Sequence, residues 1–112
     1  MAEITPDGSA SRSYYAAYHA VSALFFLEGR EFSKHGAVRS AVHRDLVKQE
    51  RWAEELGKSY DVLWNRRDWG DYGGLRHVTT EEAADAIERA SRILEAVRTE
   101  HPELDAPSKD VP

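Results

Sequence analysis

The chain contains no cysteine, which excludes disulfides, thiolate metal sites and a cysteine nucleophile. No apolar run approaches the ~18 residues needed to cross a bilayer, so a membrane span is not expected. Its opening residues, MAEITPDGSAS, carry neither the basic nor the apolar region of a signal peptide, and the expected location is the cytoplasm. Cations are in deficit: 15 Lys and Arg stand against 20 Asp and Glu, for a net charge of −5. That balance argues against a general nucleic-acid coat, which replaces phosphate counterions with surplus cations, but leaves room for a local basic cleft. The chain also lacks an HExxH pair, a glycine-rich phosphate loop and a nucleophile elbow, so neither a metal nor a cofactor is expected.

What the sequence does have is helical period. Apolar residues recur at three and four, no useful segment alternates at two, and 112 residues make one domain. The expected fold is all-α, an antiparallel four-helix bundle. A first helix is predicted from Ser9 or Ser11, either of which can cap free N–H groups, to a stop at Gly29. A second runs from about Lys34 to Gln49, with Val38, Val42 and Leu46 along one stripe. A third spans roughly Trp52 to Asp68, with Trp52, Leu56, Tyr60, Leu63 and Trp64 on one face. The fourth opens on a capping box, Thr79 with Glu82, and repeats Ala83, Ile87, Ala90, Leu94 and Val97 until Pro102 ends it. Residues 1–8 are expected to be flexible, 9–101 to form the bundle, and the polar, proline-rich 102–112 to be disordered.

The stretch SRSYYAAYHAVSALFF, Ser11 to Phe26, sets the functional question. At 100° per residue, Tyr14, Ala17, Tyr18, Val21, Leu24 and Phe25 fall on one side, and Arg12, Tyr15, Ala16, His19, Ala23 and Phe26 on the other. Both sides are largely apolar, so the helix should be enclosed on most of its circumference, by its neighbours or by a second molecule. Arg12 and His19 lie ~10.5 Å apart along the axis with Tyr15 between them. Such a pair suits phosphate chemistry: arginine offers a fork of donors to an anion, and histidine exchanges a proton near neutrality. The plainer account has Arg12 paired with a carboxylate and His19 hydrogen-bonded in the core.

The connection NRRDWGDYGG, Asn65 to Gly74, is the other candidate. Arg66, Arg67, Asp71 and Tyr72 could line a ligand or RNA cleft; equally, the arginines could cap the helix end while the aromatics cover the core. On the second helix His35, Arg39 and His43 share a face, read as a solvated basic surface, since two histidines eight apart cannot chelate one ion.

Taken in order, SRSYYAAYHAVSALFFLEGRE, KHGAVRSAVHRDLVK, RRDWGDYG and VTTEEAADAIERASRILEAV resemble the small prokaryotic HEPN-domain proteins. The resemblance covers about Ser9 to Val97. It implies a helical bundle that forms a homodimer, and a minimal nucleotidyltransferase as partner in a toxin–antitoxin-like pair. It also implies metal-independent RNase activity, with an arginine and a histidine completing a composite site across the dimer. In this chain Arg12 and His19, with Tyr15 beside them, have six residues between them, within the four to six of such pairs, but they lie in a different helix from the family's motif. The usual junction of third and fourth helices holds Arg66 and Arg67, and the next histidine there is His77. Relatives also carry a leading helix for which the residues before Ser9 leave little room. A non-catalytic module binding a nucleotide or partner is the alternative, and a plain helical scaffold is the third.

Overall fold

A computed structural model describes residues 5–72 and 77–105, without the side chains of residues 70–72 and 105. Among the described residues there are four α-helices and no strand: α1 (Pro6–Leu27), α2 (His35–Ala41), α3 (Glu54–Tyr72) and α4 (Thr80–Glu100). The expected all-helical fold is therefore the one observed. A π-helical turn, Val42–Val47, continues α2, and a 3-10 turn, Pro102–Asp105, follows α4. No described helix is long and apolar enough to cross a membrane.

Helix α1 begins earlier than expected. Thr5 caps it by accepting the Gly8 N–H at 3.0 Å, Pro6 takes the first helical position where a missing N–H costs nothing, and Asp7 reaches a distant segment. The Asp7 carboxylate accepts the Val78 N–H at 2.8 Å and meets His77 Nδ1 at 3.0 Å. These bonds, the backbone one foremost, hold Asp7 below the usual carboxylate pKa. Residues 6–8, expected to be flexible, are thus helical because they anchor the start of α4; residues 1–4 and 106–112 lie outside the described residues.

The far end of α1 stops where the sequence said. Gly29 adopts φ 82°, and Arg30 N–H bonds Phe25 O while Gly29 N–H bonds Phe26 O, the paired bonds of a Schellman cap. The capping box of α4 is also present, in both directions between Thr79 and Glu82.

Helix α1 is the spine and packs most extensively on α3 and α4. Asp7 beside Val78 and His101 beside Glu28 show that α1 and α4 run in the same direction. Arg66 on Asp85 and Trp52 on Glu100 show that α3 runs antiparallel to α4. The core gathers Tyr14, Val21, Leu24, Phe25, Val38, Val42, Leu46, Tyr60, Leu63 and Ile93, all fully buried. The stripe of α4 differs from the expected one: Ala83, Ala86, Ala90, Ile93 and Val97 are buried, whereas Ile87 is 53% exposed. The rotation puts small alanines against α1, so the backbones approach closely, and turns Ile87 to the outside. On α1 the Tyr14 side is buried as expected, but Arg12, Ala16, His19 and Phe26 of the other side are exposed. Within one chain that side is uncovered.

Candidate functional site

Three elements meet at a cluster of rings and cations. Tyr14, at the buried side of α1, touches Tyr60 and Trp64 of α3 edge-on. Its hydroxyl, kept protonated by burial, donates to His35 Nδ1 at 3.1 Å. His35, first residue of α2, lies flat on Tyr18 with ring centroids 4.2 Å apart and planes 12° off parallel. Burial, then the charges of Arg67 and His19, lower the pKa of His35. A neutral ring accepting at Nδ1 carries its proton at Nε2, away from Tyr14.

Arg67 is the buried cation of the cluster, 8% exposed. Its guanidinium sits 4.8 Å over the Tyr14 ring and 5.2 Å over Trp64, and it pairs with Asp68 at 3.1 Å. Burial opposes its charge, but hydrogen bonding to Tyr15 and the Asp68 carboxylate more than restore it. A planar, weakly hydrated guanidinium tolerates that setting better than an ammonium would. Tyr15 in turn lies 6.3 Å from His19, centroid to centroid, and His19 also meets Tyr18 edge-on at 5.2 Å. Tyr15, His19 and Arg67 therefore share one neighbourhood, joined through Tyr14, Tyr18 and His35.

Beside it, Asp61 of α3 holds two cations of the α2 arm. Its Oδ1 accepts from Arg39 Nε at 2.8 Å and from His43 Nε2 at 2.9 Å. Burial pushes the Asp61 pKa up, yet these two bonds outweigh it and the net shift is downward. Arg39 also covers Trp64 at 4.9 Å. The face read as merely solvated is thus half-buried and tied to α1 and α3.

The other predicted residues are placed as follows. Arg12 is exposed, has no partner among the described residues, and lines a cavity between α1 and α4 with Ala16, Ile87 and Leu94. His19 lines a different one, with Ser22, Ala23, Phe26 and Phe32. Within one chain, then, Arg12 and His19 do not meet around one bound group, although they stand on the same exposed side of α1. Arg66 donates to the Glu82 carbonyl and to Asp85, so it staples α3 to α4 instead of facing a cleft. Asp71 and Tyr72 end α3, which runs four residues past the expected stop at Asp68; their side chains lie outside those described. Sequence reasoning missed Asp61 and the functional place of two residues it had named, His35 on a solvated face and Trp64 on an apolar one. The available hint was that Tyr14 and Tyr18, four apart, present hydroxyl-bearing rings on a buried side, which calls for polar partners.

Among the described residues no His, Asp and Glu gather closely enough to hold a metal ion. The family model described as HEPN domain matches residues 5–100. The chain is also similar to a UPF0332 protein of Thermotoga maritima, 40% identical over 87 residues, which cover 78% of this chain and 66% of that relative. The chain spans just under two thirds of the length of that curated relative. No solved structure matches.

Proposed function

The chain belongs to the HEPN-domain family, and on that premise we propose that it is a metal-independent endoribonuclease whose site is completed by two copies of the chain, working in a two-component module with a minimal nucleotidyltransferase. The observation that carries this reading is the uncovered side of α1. Residues 12, 16, 19, 23 and 26 recur at four and three, a seam of the kind two helices share. Ala16, Ala23 and Phe26, the last 62% exposed, are apolar and want cover, while Arg12 and His19 are the seam's polar members. Two copies meeting antiparallel about Ala16 bring Arg12 of one copy to His19 of the other. The separation within one chain then becomes the requirement for two.

In such a site His19 takes the proton from a ribose 2′-hydroxyl as its oxygen bonds to the adjacent phosphorus. The P–O5′ bond breaks, and the proton passes to the leaving 5′-oxygen. Arg12 lies against the phosphoryl oxygens, where charge builds, and Tyr15 positions the imidazole. The products are a 2′,3′-cyclic phosphate and a 5′-hydroxyl, and DNA is inert.

The test uses complementation. Arg12→Ala and His19→Ala each abolish cleavage of RNA in EDTA. Mixed in equal amounts, they regain about a quarter of the wild-type rate, since half of the dimers then hold one intact site of two. Cleavage that survives in His19→Ala, or a mixture that stays silent while wild type is active, removes the proposal. The alternative, a binding module without catalysis, is favoured by the burial of Arg67 on Tyr14 and Trp64, which makes it a fixed part of the fold. It requires no cleavage by wild type, with thermal stabilisation by a nucleotide or by the nucleotidyltransferase partner.

A further inference from the structure

One cavity of the molecule stands apart from the α1 seam. Between the α2 arm and α3 lies a hollow of 630 Å³ lined by Arg39, His43, Arg44, Lys48 and Trp64, with no carboxylate in its wall. The segment from Lys34 to Lys48 holds four Lys and Arg against a single acid, Asp45, in a chain of net charge −5. These cations converge because of the π-helical turn. The Lys48 N–H bonds the His43 carbonyl, five residues back, at 2.9 Å, so residue 48 stands one widened turn beyond residue 43 and joins the same wall.

The acids of this region sit behind the cations. Asp61 takes Arg39 through Nε and His43 through Nε2, leaving the terminal amino groups of Arg39 for the hollow. Asp45 holds Arg44 and also Arg30. Lys48 has no ion pair among the described residues. Gly36, at the other edge of the hollow, follows His35, whose ring lies on Tyr18, the neighbour of His19. Trp64 is shared: Arg39 lies against its ring here, and so does Arg67 of the Tyr14 cluster.

From this placement we infer that the α2–α3 hollow is a binding site for the phosphodiester backbone of single-stranded RNA, holding phosphates next to the strand segment presented to His19. Guanidinium groups held by carboxylates outside the wall, beside the exposed Lys48 ammonium and with no carboxylate in the wall itself, are the chemistry of phosphate capture. The Trp64 ring, already covered by Arg39, serves the cations and not a base, so the hollow reads backbone and not sequence. The choice of RNA over other polyanions rests on the function proposed above; the phosphate site itself does not.

The test compares wild type with Arg44→Glu/Lys48→Glu, both exposed positions, and with Lys58→Glu/Arg92→Glu, which makes the same charge change on exposed α3 and α4 positions. Affinity for a fluorescent single-stranded RNA is read by anisotropy in the His19→Ala background across a salt series. The hollow variant loses about tenfold or more at 0.1 M salt, and its log–log salt slope flattens by about 1.4, at ~0.7 per phosphate contact; the control changes little. In the active protein KM rises while kcat holds. Equal losses in both variants, or no loss in either, overturn the site. Binding of a nucleoside triphosphate in the hollow without binding of the RNA strand overturns the RNA assignment. If wild type never cleaves RNA but the selective binding loss is seen, the nuclease reading fails and the phosphate site stands.

Discussion

Replacing Gly57 by alanine tests how the basic arm is seated on α3. Gly57 is buried in the first turns of α3, directly under the π-helical turn. A Cβ there would stand 2.9 Å from Val47 Cγ2 and 3.1 Å from both Cε1 and Nδ1 of His43. Ordinary contact begins near ~3.5 Å, so the Val47 methyl must retreat by ~0.5 Å and the His43 ring must tilt off Asp61. Overpacking of this kind costs ~1–3 kcal/mol. Alanine in a helix returns ~0.5–1 kcal/mol of backbone entropy. The expected net loss is therefore ~0–2.5 kcal/mol with a centre near ~1, which at a urea slope of ~1–3 kcal/mol/M lowers the midpoint by roughly half a molar. In a Val47→Ala background the nearest clash is gone, and Gly57→Ala should cost at least ~0.5 kcal/mol less than in wild type, a coupling typical of residues in contact. RNA binding by the hollow should weaken in step, because His43 has moved. A higher midpoint in Gly57→Ala, or strict additivity with Val47→Ala, would refute the reasoning, since helix propensity would then outweigh the contact.

Other outcomes follow from single observations. Glu50 sits at φ 62° in the position glycine fills at the end of α1, with the same paired bonds, Arg51 N–H to Leu46 O and Glu50 N–H to Val47 O. Glu50→Gly should therefore stabilise by up to ~1 kcal/mol, after its greater unfolded entropy is set against relief of left-handed strain, and a lower melting temperature would count against this. Thr79→Ala removes the capping box and should cost ~1 kcal/mol in urea unfolding; an unchanged midpoint would mean that Asp7 alone secures the start of α4. Histidine titration by NMR should separate two rings. His101, bonded to Glu28 first of all, titrates above the ordinary 6.5, and His35, desolvated and near Arg67, below it. The stabilisation from His101 is full below 6.5 and fades as pH rises through its folded value, whereas that from neutral His35 is present above 6.5 and fades as pH falls through its folded value. His101→Asn should remove the decline on the alkaline side, and equal titration of the two rings would contradict both environments.

Local chemistry was enough for much of this protein. Period three and four set the all-α class, Gly29 ended α1, Thr79 and Glu82 opened α4, and Val38, Val42 and Leu46 formed the buried stripe of the α2 arm, because each depends on residues within one or two turns. The start of α1 was open to local reading as well, in Thr5, Pro6 and Asp7, but Asp7 shows its purpose only through Val78, 71 residues away. The partners of the cations were decided by tertiary structure alone. That Arg67 is buried on Tyr14, that His35 lies on Tyr18, and that Asp61 draws Arg39 and His43 back from solvent depend on how α1, α2 and α3 cross. No spacing along the chain records those crossings. The same holds for α4, where the seven-residue repeat placed Ile87 on the core stripe, whereas close approach to α1 buried Ala86 and turned Ile87 outward. Helix identity is a short-range property of backbone and cap, while a site is made from long-range pairings, and so the sequence determined the elements and the tertiary structure decided which side chains met.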